Sequence, residues 1–309
     1  MVWFVCIAAV LIFFLLLEYT MYCYAFKRNR RREADDFEIP SDAQYTQFKE
    51  KIVESVSIAK SFQYETVGIT SYDGLKLSGR YYNFGQNGQL VIFFHGYRSS
   101  AIRDGNGILS ICRDKGYDIL VVDQRAHGQS EGRTITFGIK ERFDCLSWVD
   151  FAIRNFGRDT KIVLMGLSMG AATVMMASDK VPQNAKCIIE DCGYSSPRDI
   201  LGSAIKKMRL PIWLVYPLLK MSAIIFGGFN PDSFSAKRAL KNAQVPIIMI
   251  HGEADRLVPC YMCRECREAC SSEVTMVTFG DAGHGMSYYM DNECYINLVC
   301  ENLKKAFNL

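Results

Sequence analysis

The stretch from Lys161 to Met175 leaves few folds open. It reads as a short apolar run, Ile162-Val163-Leu164, then Gly166-Leu167-Ser168-Met169-Gly170, then Ala171-Ala172-Thr173-Val174-Met175. The first run suits a buried strand and the last a helix, so the chain must turn sharply between them. Glycine-x-serine-x-glycine is what such a turn needs. The serine sits on strained backbone, and a side chain at Gly166 or Gly170 would collide with backbone nearby. A hydroxyl held at that tip is open to reaction, and the flanking strand and helix make the short pattern specific.

The remaining chain repeats the alternation. Glu65–Thr70 and Leu75–Tyr82 flank Asp73-Gly74, a hairpin signal. Further strands are expected at Gln89–Phe94, Tyr117–Val122, Lys161–Met165, Ala185–Ile189, Val245–Ile250 and Val274–Phe279, with helices at 101–116, 139–156, 169–180, 259–270 and 292–307. This predicts an α/β fold: a mostly parallel eight-stranded sheet flanked by helices, with its site at the carboxyl ends of the strands. Residues 194–243 interrupt the pattern with Pro197, Pro211, Pro217, Pro231 and Gly227-Gly228, and are read as an inserted helical cap over the site. An apolar stripe of Tyr45, Phe48, Ile52, Val56 and Ala59 predicts a helix over 42–60 packed on the domain.

A serine hydroxyl attacks only when a histidine takes its proton and an acid orients that histidine. The chain has 4 histidines: His95, His127, His251 and His284. Chain order in this fold is serine, acid, histidine, which leaves His251 and His284. His284 lies in a loop between Gly283 and Gly285, whose small size lets the ring reach inward, whereas His251 ends a strand and suits packing. Asp255, in the loop after the strand ending at His251, fits the acid, with Glu253, Asp281 and Asp191 as alternatives. The tetrahedral intermediate needs two N–H donors. Met169 at the start of a helix supplies one, and Tyr97, with Gly96 next, the other. The His95 side chain is read as a structural hydrogen-bonding group.

Five motifs then carry a resemblance: His95-Gly-Tyr-Arg-Ser-Ser, Asp123-Gln-Arg-Ala-His-Gly-Gln-Ser130, Gly166-Leu-Ser-Met-Gly170, His251-Gly-Glu-Ala-Asp-Arg-Leu-Val-Pro259 and Ala282-Gly-His-Gly285. Over residues 64–308 the chain resembles the α/β-hydrolase superfamily, in the branch related to serine aminopeptidases and prolyl-oligopeptidase-like hydrolases, many of whose bacterial members are membrane-anchored. The resemblance implies that Asp123–Ser130 is a structural loop beside the site. Ala126 departs from the usual glycine there. The cap is the variable region of the family, so it carries little over about substrate.

Val2 to Leu17 is an unbroken apolar run, extended past Glu18 to Phe26. That is long enough to cross a bilayer, which takes ~20 residues. A cleaved signal peptide would show a basic start and a small-x-small site, and neither is present. Residues 1–26 are therefore read as a transmembrane anchor and 27–40 as a basic linker, with 41–309 as the hydrolase domain. Lys27, Arg28, Arg30, Arg31 and Arg32 put that domain on the cytoplasmic side by the positive-inside rule. The 12 cysteines are read mostly as free thiols, in keeping with a reducing compartment. A net charge of +3, concentrated in the linker, provides no field for nucleic acid.

Cys260, Cys263, Cys266 and Cys270 follow a ferredoxin-like spacing without the proline. At ~100° per residue they share about a third of a turn, which reads as a core-facing helix stripe after Pro259. Arg98, Arg103 and Arg125 suit either an anionic substrate or surface salt bridges. Trp213, Tyr216 and Phe226 suit either an acyl pocket or cap packing. The expected activity is hydrolysis of an ester or thioester with an apolar acyl group, without metal or cofactor. A peptidase or acyl-amide hydrolase, and an inactive membrane-tethered binding protein, are the alternatives. The substrate is expected to be a small acyl compound and the membrane a partner through the N-terminal helix.

Overall fold

The computed structural model describes residues 2–28, 36–85 and 88–308; Arg30, Arg31 and Arg32 of the basic stretch lie outside them. In chain order the helices are α1 (Val2–Ala25), α2 (Ala43–Thr46), α3 (Lys49–Lys60), α4 (Ala101–Lys115), α5 (Glu141–Phe156), α6 (Met169–Ala177), α7 (Pro197–Lys207), α8 (Ile212–Ile225), α9 (Ala236–Leu240), α10 (Tyr261–Ala269), α11 (Ser287–Met290) and α12 (Asn292–Phe307). The strands are β1 (Glu65–Thr70), β2 (Lys76–Tyr82), β3 (Gln89–Phe94), β4 (Asp118–Val122), β5 (Lys161–Leu167), β6 (Ala185–Asp191), β7 (Ile247–Gly252) and β8 (Val274–Phe279).

They form one 8-stranded sheet in the order β1-β2-β4-β3-β5-β6-β7-β8. β1–β2 and β2–β4 are antiparallel and the remaining pairs parallel. Helices cover both faces, and each face carries its own core. Trp148, Leu120, Leu164 and Met175 lie in one, and Phe93, Val163, Leu109 and Phe307 in the other. Strands buried on both faces lose any alternation, which is why β3 and β5 read as continuous apolar runs.

Element boundaries moved where local chemistry dictated. β7 starts at Ile247, not Val245, because Pro246 has no N–H for the ladder. β5 continues to Leu167, right up to the turn. The helix expected over 42–60 is two, broken at Gln47-Phe48: Asp42 caps α2 through Gln44 N–H, and α3 then buries Ile52, Val56 and Ala59.

α1 leads directly into the domain. Its chain continues as an isolated antiparallel bridge, Lys27 with Thr134. Ile135 N–H donates to Phe26 O at 2.7 Å, and Arg28 N–H to Arg133 O at 2.8 Å. Tyr97 Oη donates to Ala25 O at 2.9 Å, and the Arg98 guanidinium to the carbonyls of Tyr24 and Lys27 at 2.8 and 3.2 Å. A helix leaves its last carbonyls without internal partners, and these two side chains supply them. α8 packs along the same end of α1, with the Phe226 ring 5.3 Å from Tyr19 and 6.1 Å from Tyr22.

Candidate active site

Ser168 stands between β5 and α6 with φ 56° and ψ −111°, backbone that a side chain rarely tolerates. The close approach explains both glycines. A Cβ on Gly170 would lie 1.9 Å from Phe94 O, and one on Gly166 would lie 2.2 Å from the Gly170 carbonyl carbon. Ser168 N–H donates to Asp191 O at 2.8 Å, which fixes the turn against β6.

The three residues picked by chain order come together. Ser168 Oγ is 2.8 Å from His284 Nε2, and His284 Nδ1 is 2.7 Å from Asp255 Oδ2. The other Asp255 oxygen accepts from the N–H groups of Leu257 and Val258, both at 2.8 Å. Burial pushes the Asp255 carboxyl up, but the facing His284, His251 and the Val258 N–H outweigh it and hold it below the usual range. In His284 burial pulls the imidazole down, and the Asp255 charge and hydrogen bond reverse that, leaving it above its ordinary value.

The alternatives sit elsewhere. Glu253 is outside, accepting from Thr278. Asp191 is buried behind the serine, where Tyr295 Oη donates to its Oδ2 at 2.9 Å. His251 is buried and donates from Nε2 to Val258 O, the packed role expected for it. His95 likewise holds loops together, donating to Gly96 O and accepting from Gln124 N–H.

The N–H groups of Tyr97 and Met169 have no acceptor among the described residues, whereas Gly96 N–H is spent on Asp104 Oδ2 at 2.7 Å. Met169 follows Ser168 in the chain and Tyr97 lines the same cavity as Ser168, and the N-terminus of α6 adds positive potential there. Arg98 N–H donates to His127 Nε2, which fixes the loop at a residue with φ 50°. Ala126 also has positive φ, 62°, which accounts for the glycine that family members carry.

A cavity of about 230 Å³ opens beside Ser168 and His284. Its walls are mainly apolar and aromatic: Ile39, Tyr45, Phe93, Leu167, Tyr288 and Tyr289. No residue of 194–243 lines it. Trp213 is 78% exposed, Tyr216 bonds to Asp232, and Phe226 lies on α1. The segment 39–52 forms the wall that sequence reasoning assigned to the cap, and Gln44 Oε1 accepts from His284 N–H at 3.0 Å. A polar set faces the same space: Ser99, Arg103, Asp104, Asn106 and Asp191, whose Oδ1 has no hydrogen-bond partner among the described residues.

The three arginines divide. Arg98 caps α1, and Arg103 donates to Glu38 O and Ser99 Oγ. Arg125 is buried between Asp73 and Asp144, at 2.9 and 2.5 Å, so the surface salt bridge expected of it is an interior one. All 12 cysteines are free thiols. On α10, Cys263 and Cys266 face the core, and the Cys263 thiol donates to Glu190. Among the described residues the compact group of metal-type ligands is Cys192, Asp255 and His284, within 4.8 Å. Two of these are already engaged with each other.

This sheet, with a serine on the β5–α6 turn and a histidine and acid after β8 and β7, is that of the α/β-hydrolases, and the chain belongs to that superfamily. Residues 85–223 match the family described as serine aminopeptidase, S33. The esterase Pf2001 of Pyrococcus furiosus is similar in structure, with a TM-score of 0.67 and 27% identity, covering 82% of this chain and 93% of the esterase. The uncharacterized protein YqkD of Bacillus subtilis is 25% identical over 215 residues, 69% of this chain and 70% of its own length. An uncharacterized membrane protein of Saccharomyces cerevisiae is 23% identical over 161 residues, 52% of this chain and 51% of its own. The chain is thus a hydrolase with one N-terminal helix, Trp3–Ala25, long and apolar enough to cross a membrane.

Proposed function

We propose that the chain is a membrane-anchored serine hydrolase that cleaves a carboxylic ester or thioester with an apolar acyl group. The reading rests on one arrangement: Ser168 Oγ hydrogen-bonded to His284, which is held by Asp255, at an apolar cavity that Tyr97 also lines. Ser168 Oγ attacks the carbonyl carbon while His284 Nε2 takes its proton, and Asp255 holds the imidazole and stabilises its charged form. The Tyr97 and Met169 N–H groups receive the oxyanion. His284 then protonates the leaving group, water attacks the acyl-enzyme by the same route, and the acid departs. None of these steps draws on a metal or organic cofactor. The modest cavity and its Phe and Tyr walls favour a compact apolar acyl group.

Peptidase or acyl-amide chemistry is the second reading. The serine aminopeptidase match and the unpaired Asp191 oxygen, suited to an ammonium, favour it. A fluorophosphonate probe should label the native chain, and Ser168→Ala should remove the label with little change in stability. A folded native chain that stays unlabelled defeats the hydrolase reading and leaves the binding-protein alternative. Turnover of p-nitrophenyl esters against aminoacyl anilides separates the two substrate classes.

α1 serves as a retained single-span anchor, with the domain on the cytoplasmic side. Lys27 and Arg28 flank its inner end. Cys294 is exposed, far from α1 in sequence. A membrane-impermeant thiol reagent should leave Cys294 unmodified in intact cells, and its modification there reverses the orientation.

A further inference from the structure

α8 is an amphipathic helix turned inside out. Its buried side, Tyr216, Leu219, Ser222 and Ala223, faces the domain. Its outer side presents Trp213, Leu214, Met221, Ile224 and Ile225 to the surroundings, each between 42% and 78% exposed. Met208, Leu210 and Ile212 extend this surface just before it. Monomeric proteins seldom leave such a contiguous apolar face to water.

What covers it follows from the length of α1. Residues 3–16 of α1 are exposed throughout; from Leu17 onward one side of it, with Glu18, Tyr22 and Ala25, is packed on the domain and on α8, while Thr20 and Tyr24 stay exposed. Those roughly fourteen residues reach ~21 Å at 1.5 Å per residue, while the hydrocarbon core is ~30 Å thick. The missing ~9 Å corresponds to about six further residues, to about Tyr22, the stretch against which Phe226 and α8 lie. A bilayer deep enough for α1 therefore also immerses the outer face of α8. The exposed Lys206, Lys207 and Arg209 precede that face, where phosphate headgroups would meet them.

We propose that α8 is a second membrane-seated element, its outer face in the acyl region of the leaflet next to the domain. The proposal rests on the anchor reading of α1 and does not depend on the hydrolase chemistry. α8 thereby acts as an in-plane foot, and the catalytic body stands on two supports.

The chain holds 3 tryptophans, and they make the test direct. Trp3 reports α1, Trp213 reports α8, and Trp148 is sealed in the core as a constant background. The full chain is reconstituted in phosphatidylcholine vesicles containing lipids brominated near the top of the acyl chain or near its end. In the Trp3→Phe variant, upper-chain bromines should remove most of the Trp213 emission, and aqueous iodide should remove little. The Trp213→Phe variant reads Trp3 in the same lipids. Trp3 quenched while Trp213 responds to iodide and not to bromine overturns the α8 proposal and leaves the anchor standing. If Trp213 responds to neither, protein covers it, such as a second copy, and the proposal also fails. If bromine quenches neither tryptophan, the anchor reading falls too.

Discussion

The reactivity proposed for Ser168 rests on where its neighbours stand, and one of them has a charge that can be dialled. Asp191 lies behind the serine, its carboxyl pushed up to about 7 by burial. Its charge is among those that raise His284. The base must be neutral to accept the serine proton, so kcat/KM should rise with pH through a midpoint above the ordinary histidine value of ~6.5. Asp191→Asn keeps an acceptor for Tyr295 and removes the negative charge. A histidine that loses a nearby anion titrates lower, so the acid limb of the profile should move to lower pH. A limb that stays put, or moves up, means that Asp191 exerts no charge on the site.

Among the elements, the β3–β5–α6 crossing is the tightest. Gly170→Ala drives a methyl into Phe94 O, backbone that cannot step aside, so the variant should be recovered poorly or melt far below the parent. Gly202→Ala in α7 is the contrast: a Cβ there meets nothing within 4 Å, and an alanine in a helix gains ~0.5–1 kcal/mol over glycine. Thermal melts of the two variants should move in opposite directions. This crossing was also the most legible part of the sequence. A buried parallel strand is a plain apolar run and the turn demands its two glycines, so residues 161–177 declare themselves. The candidate site followed as far as chain order reaches, because Asp255 and His284 each lie in a loop just after a strand, β7 and β8. Other parts were invisible for a physical reason. Gln44 and Tyr45 reach the site from far upstream, and helical periodicity says that a face is covered, not what covers it. The apolar content of α8 pointed inward on the usual rule; its outer face only makes sense beside α1. Asp104, which holds Gly96 N–H and so leaves Tyr97 as the free donor, had no signal beyond a capped helix start.

For the molecule as a whole, buried titratable groups set how stability varies with pH. Burial raises Glu190 to about 8, Asp191 to about 7 and Asp144 to about 6. A carboxyl whose folded value is raised costs stability as pH climbs from the unfolded value to the folded one. Burial also lowers His95, His127 and His251. These cost stability as pH falls below ~6.5, where the unfolded chain takes up their protons. Between about 4.5 and 6.5 the two groups oppose each other, and above 6.5 the raised carboxyls act together with His284, whose raised value also costs stability as pH climbs through it. The melting temperature should therefore decline from pH 6.5 to 8. Glu190→Gln can still accept from Gly193 N–H, and should flatten that decline while changing little at pH 5. An equally steep alkaline decline in the variant assigns it to other groups.

The docking of α1 has a consequence in time. Its capping partners come late: Tyr97 is 72 residues beyond Ala25, and Arg98 is 74 beyond Tyr24. At ~5–20 residues per second, synthesis brings these groups out several seconds or more after the helix itself. Through that interval the helix end is tied to nothing in the domain. The folded body that then arrives grips it, so loops made later orient a segment made earlier.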